Sequence, residues 1–147
     1  MAPPKLFTLE EAERTLPLVR RVVADLLEEY PRWRAAVGRF ELLSAGARAE
    51  PAGPSASEEL RAVQEEVAAY ARRIDDYLKE LEAVGCVFKG FEAGLVDFPS
   101  LREDRLVYLC WRLGEDHIRW WHELGAGAAG RQPVDGGILT ETSEALP

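Results

Sequence analysis

Between residues 60 and 84 the apolar side chains Leu60, Val63, Val67, Tyr70, Ile74, Tyr77, Leu81 and Val84 follow one another at steps of 3, 4, 3, 4, 3, 4 and 3. A run of this length and period fits one face of an α-helix packed on another helix, and no strand pattern satisfies it. Gly85, directly after the last apolar position, is placed to take the left-handed conformation that ends a helix. Upstream, Ser55 with Glu58 reads as a capping box at the helix start.

A seam needs a partner, and the preceding segment offers one. Thr8 and Glu11 form a second capping box, predicting a helix from about Leu9. Pro17 and Pro31 should kink or restart it, because proline lacks the amide that bonds back one turn. Val19, Val22, Leu26, Tyr30, Trp33, Val37 and Phe40 nevertheless keep helical spacing across both. Residues 44–57 combine Gly, Pro and small side chains without apolar period and are expected to be a flexible connection. The two helices then form an antiparallel hairpin, packed like a short coiled coil, with charged side chains such as Glu58, Glu65, Arg72 and Lys79 on a solvated outer face. The same seam could be satisfied between subunits, so a homodimer through the helices, or docking of another protein's helix, is expected to compete with a hairpin alone.

Composition narrows the functional classes. The chain of 147 residues has about the length of one domain, and its 47% apolar content supplies one core. A net charge of −8 repels phosphate backbones and anionic lipid, which argues against nucleic acid as a partner. No apolar run approaches the roughly 20 residues that span a bilayer, and the first residues lead straight into helix signals, so a soluble, cytoplasmic protein is expected. Cys86 and Cys110 are too few for a disulfide framework and read as free, buried thiols.

After Gly85 the period changes. Cys86–Phe91 and Gly94–Phe98 are short β-branched or aromatic runs around a turn, which predicts a hairpin. Leu106–Leu113 has strand length, with Val107, Leu109, Trp111 and Leu113 on one wholly apolar face that should meet the helices. His117–Glu123 is short enough to be either its partner strand or a helical turn. Residues 135–147 show little apolar periodicity and predict a frayed tail.

The ordered run Phe7–Ala12, Cys86–Gly90, Gly94–Ser100, Leu109–Glu115, Trp121–Glu123 and Gly130–Arg131 resembles a bacterial family known as domain of unknown function 2203, over nearly the whole chain to about Pro133. That resemblance implies no activity, cofactor or substrate.

Chemistry-bearing residues concentrate between Cys86 and His122, which holds three of four tryptophans, both histidines and both cysteines. His122 is the sharpest candidate for catalysis, with Asp97 and Glu115 as carboxylate companions. In a strand His117 and His122 face apart, and on a helix they stand about 140° apart, so they are not a chelating pair by themselves. A divalent metal would need Asp97, Cys110, Glu115 or Glu123 beside His122, a donor set suited to zinc or a first-row transition metal. The ordinary alternative is a hydrogen-bonded structural histidine, with Asp97 paired to Arg102, Arg105, Arg112 or Arg131. Trp111, Trp120 and Trp121 could form an aromatic cage with Arg131 nearby for an anion, although core packing is the simpler use of them. Ser100 lacks a nucleophile-elbow setting, and Gly125–Arg131 lacks the ending of a phosphate-cradling loop.

The architecture expected is α+β: residues 1–133 as a single domain, with a helical hairpin over 9–84 packed on a small antiparallel sheet within 85–133, and 134–147 as a disordered tail. The leading functional expectation is a non-enzymatic interaction or assembly protein; the rival is a metal-dependent enzyme or small-ligand module using the Asp97, Glu115 and His122 region.

Overall fold

A computed structural model describes residues 5–49 and 53–144. Helix α1 spans Leu9–Ala49 and α2 spans Pro54–Val84. Five strands follow, β1 (Val87–Phe88), β2 (Leu95–Arg102), β3 (Arg105–Arg112), β4 (Trp120–His122) and β5 (Gln132–Pro133), and form one antiparallel meander in chain order. A short helix α3 covers Glu141–Glu144. The fold is α+β, two packed helices on an antiparallel sheet.

The start of α1 is the capping box read from sequence. The Thr8 amide donates to Glu11 Oε1 at 3.0 Å and the Glu11 amide to Thr8 Oγ1 at 3.1 Å. That bonding is the first cause holding the Glu11 carboxyl below its ordinary range. Neither proline restarts the helix. Pro17 and Pro31 both lie on its exposed side, where the carbonyl each leaves unbonded can be hydrated, while Leu16, Val19, Val22, Val23 and Leu26 stay buried on the other side.

The flexible connection expected over 44–57 is mostly helical. Residues 44–49 continue α1, consistent with the high helix propensity of their alanines and arginine, and Pro54 opens α2. Residues 50–52 lie outside the described residues. The Ser55–Glu58 capping box does not form: Gly53 is the cap residue, and Pro54 in the first turn removes a donor that would have gone unbonded. At the other end Gly85 adopts φ +103°, with its amide on the Leu81 and Glu82 carbonyls.

Burial along the hairpin is graded. Val19, Val22 and Leu26 are fully buried, whereas Tyr30, Trp33, Val37 and Phe40 are half-buried, and of the α2 seam only Val63 and Leu81 are fully buried. The sheet covers only the end of the hairpin near Gly85, so the far end has no third layer.

In the sheet, β2 and β3 pair from Leu95↔Arg112 to Arg102↔Arg105. Glu103 and Asp104, at φ 52° and 66°, make the two-residue turn with both residues in the left-handed region that such a hairpin favours. The expected hairpin from 86 to 98 is present as β1 and β2, and residues 120–122 are strand. The run read from sequence ended at Phe98; the strand continues through Pro99 to Arg102 because β1 has already ended there, and the Pro99 carbonyl accepts from the Phe7 amide at 2.7 Å.

The tail expected from residue 134 is docked instead as far as it is described. Ile138 is 1% exposed, and the Leu139 amide bonds to the Leu101 carbonyl while the Leu139 carbonyl accepts from Leu9. One buried anchor in a polar segment carries no periodicity, which is why the pattern did not show it. Residues 145–147 lie outside the described residues.

Gly94 links the sheet to the helix. It sits at φ +65°, and a Cβ there would stand 2.9 Å from Val23 Cγ1 and 3.0 Å from Leu113 Cβ. Gly94→Ala should therefore destabilise the protein by about 3 kcal/mol, combining backbone strain with overpacking, as a lowered urea midpoint at unchanged slope.

Candidate metal centre

Strand alternation gives the sheet two different faces. Val96, Phe98, Val107, Leu109, Trp111 and Trp121 point toward the helices and build the core. The opposite face receives Asp97 from β2, Cys110 from β3 and His122 from β4. Asp97 pairs directly with Cys110, while His122 pairs with Tyr108, one alternate position along β3. Three consecutive strands thus bring a carboxylate, a thiol and an imidazole together, with one donor atom from each within 4.8 Å of the others and all three residues buried.

Hydrogen bonding fixes the histidine. Nδ1 lies 2.7 Å from the Glu123 carbonyl, which can only accept, so Nδ1 carries a hydrogen. Nε2 lies 3.0 Å from Asp97 Oδ1. Two electron-rich atoms at that separation, 2% and 3% exposed as side chains, require a positive centre between them, either a proton or a metal cation. The Cys110 thiol is pushed up to about 11, first by burial and then by the Asp97 charge, with Arg131 opposing. Without a metal it is therefore a neutral thiol near pH 7.

Beside the three donors is a cavity of about 250 Å³, bordered also by Lys89, Leu95, Leu124 and Gly127. Its far wall is the segment after β4, and Arg131 secures the end of that segment. The Arg131 guanidinium donates to the Cys110 carbonyl at 3.2 Å and to Glu115 Oε1 at 2.6 Å, and stacks 5.3 Å from the Trp120 ring centre.

Of the residues singled out by sequence, Asp97, Cys110 and His122 converge, and Glu115 and Glu123 do not. Glu115 accepts from the Arg112 amide and from Arg131. Glu123 makes a two-point ion pair with Arg105 at 3.0 and 2.8 Å, and only its backbone serves the centre. Asp97 pairs with His122 rather than with any of the four arginines considered for it. Arg102 goes to Asp135, and Arg131 to Glu115.

The tryptophans form no cage. Trp111 and Trp121 stand on the helix side of the sheet and Trp120 on the other. His117 pairs with Glu13 at the surface, and the Ser100 hydroxyl is spent on the Phe7 carbonyl at 2.6 Å. Sequence reasoning did not select Lys89, Leu95 or Leu124. The signal for Lys89 was alternation, since Val87 pairs with Asp97 and the next residue on that face is Lys89, whose amide bonds to the Leu95 carbonyl at 2.8 Å.

Residues 5–134 match the family model described as uncharacterized conserved protein (DUF2203), and the chain belongs to that family. No curated protein and no solved structure matches it.

Both thiols are buried, and burial pushes Cys86, like Cys110, up to about 11 from an ordinary 9.0. Because the folded state holds these protons more tightly than the unfolded chain, their stabilising effect is complete below about pH 9 and is lost as pH rises toward 11. Chemical denaturation in the presence of a chelator should show stability falling across that window, and Cys86→Ala should flatten part of the fall.

Proposed function

We propose that this member of the DUF2203 family is a metal-binding protein in which Asp97, Cys110 and His122 hold one divalent cation of the zinc class and leave a coordination position open to the adjoining cavity. The observation that carries this reading is the fixed tautomer of His122. With Nδ1 donating to the Glu123 carbonyl, Nε2 is the nitrogen left to face Asp97 Oδ1, the backbone-held arrangement typical of metal-ligating histidines. A thiolate beside imidazole and carboxylate favours zinc or a comparable soft-accepting ion over magnesium or calcium. Three protein ligands with an open position is the pattern of zinc sites that activate water or polarise a bound oxygen. Glu115 supports the centre through Arg131 and the Cys110 carbonyl rather than by ligation.

A free thiol ligand fits a reducing compartment such as the cytoplasm. Among the described residues no helix is long and apolar enough to cross a membrane. The net charge of −8 argues against nucleic acid as a partner.

Elemental mass spectrometry on protein prepared without affinity tag or chelator should find one zinc, or one comparable transition ion, per chain, lost in His122→Ala and in Asp97→Ala. Wild-type protein that is metal-free and takes up no added zinc, cobalt or manganese overturns the reading.

Assembly through the helices is a second reading, favoured by the uncovered far end of the hairpin. Leu42 is 76% exposed near that end, and nearer the sheet, where the β1–β2 connection meets the helices, a groove of about 330 Å³ is lined by Tyr30, Trp33, Ile74 and Phe91. A second copy laid against this face would complete a four-helix arrangement and supply the missing layer. Light scattering should then give a dimer, converted to monomer by Trp33→Glu with little change in helical circular dichroism; a wild-type monomer at high concentration removes this reading and leaves the metal centre standing.

A further inference from the structure

We infer that the open position of this centre takes a small organic carboxylate, with one carboxylate oxygen on the cation and Lys89 as the counter-charge. The inference rests on the metal reading given above.

Lys89 reaches the site by strand geometry. Its amide is bonded to the Leu95 carbonyl, one step beyond the Val87↔Asp97 and Phe88↔Val96 pairs, so alternation places its side chain on the Asp97 face. The residue is exposed and borders the same cavity as the three donors. Its ammonium lies 5.8 Å from the Tyr108 ring centre, and that ring in turn lies 5.6 Å from the ring of His122. Among the described residues no carboxylate stands within ion-pair distance of Lys89, whereas Lys79 is bound to Asp75 and Arg131, Arg105 and Arg102 each have an acidic partner. The cation beside the cavity is thus uncommitted.

Charge then selects the ligand. A divalent cation is neutralised by the Asp97 carboxylate and the Cys110 thiolate, with His122 neutral, and Lys89 leaves the site one positive charge in excess. A monoanion balances that charge, and a phosphate dianion exceeds it. The remaining walls, Leu95 and Leu124, are apolar and suit an alkyl substituent better than a hydrated one. A carboxylate with a short hydrocarbon tail meets both requirements.

The test uses the full-length protein loaded with cobalt(II), whose visible absorption reports both the thiolate ligand and any change at the open position. Butyrate should shift the cobalt bands saturably. Lys89→Met should load the same amount of cobalt and bind butyrate about tenfold more weakly, the loss of one close charge pair at a partly open site, whereas Lys89→Arg should stay near wild type. Cobalt bands indifferent to butyrate, equal butyrate affinity in Lys89→Met, or inorganic phosphate binding more tightly than butyrate would each overturn the carboxylate assignment while the cobalt content upholds the metal centre. Failure of cobalt to load at all overturns the metal reading and this inference with it.

Discussion

The pairing of β2 with β3 governs the rest of the molecule. Side chains alternate with a period of 2 along each strand, so the register Leu95↔Arg112 decides simultaneously which residues enter the core and which face away. In the observed register Val96, Phe98, Leu109 and Trp111 are turned to the helices, and Asp97 meets Cys110 on the opposite side. A slip of one residue would expose that apolar set and drive the carboxylate into the core. Two local features pin the register. The Glu103–Asp104 turn allows only a two-residue connection, and Ser100 ties the far end of β2 to the Phe7 carbonyl, with Phe7 packed edge-on against Phe98 at 5.2 Å.

The helices answer a different constraint. A small meander buries one face only if something covers it, and the near half of the hairpin does so with Leu16, Val19, Val23, Leu26 and Leu81. The far half extends beyond the sheet and buries its apolar residues only partly. The hairpin is therefore longer than the core needs, and its graded exposure follows from the length mismatch between two long helices and strands of at most eight residues. Glu13 shows how the helix is also locked to the sheet region by polar bonds, accepting from the Ile118 amide at 2.6 Å and pairing with His117.

Much of this was legible in the sequence because it is local. The heptad seam, the Thr8–Glu11 box, the Gly85 stop and the apolar face of β3 each need only residues within one element. What was misread depends on neighbours in space. The propensity of 44–49 was masked by surrounding Gly and Pro; the strand run was ended at Phe98 because its continuation through Pro99 depends on where β1 stops; Ile138 has no periodic companions. At the site, donor identity was visible, since Asp97, Cys110 and His122 are the residue types that ligate metals. Selecting them over Glu115 and Glu123 required the register of three strands and the arginines that draw those two carboxylates aside.

Energetics explains why the trio is more than an incidental feature of the sheet's outer face. A carboxylate, an imidazole and a thiol buried there each lose hydration, and a buried ionic pair is commonly matched or bettered in stability by apolar residues of similar volume. Valine and leucine would have closed this face at no such penalty, and the protein already uses them at Leu95 and Leu124 beside it. The bond from Nδ1 to the Glu123 carbonyl sharpens the point, because it removes the tautomer in which a neutral histidine could simply donate Nε2–H to Asp97. The arrangement leaves a place for positive charge between Nε2 and Oδ1, which a second proton on the imidazole would fill as an ion pair and a cation would fill as a ligand set that also takes in the Cys110 thiolate. A divalent ion would convert three separate desolvation costs into one set of ligand bonds, and its stabilising effect would be felt across β2, β3 and β4 together, the strands on which the whole fold is registered.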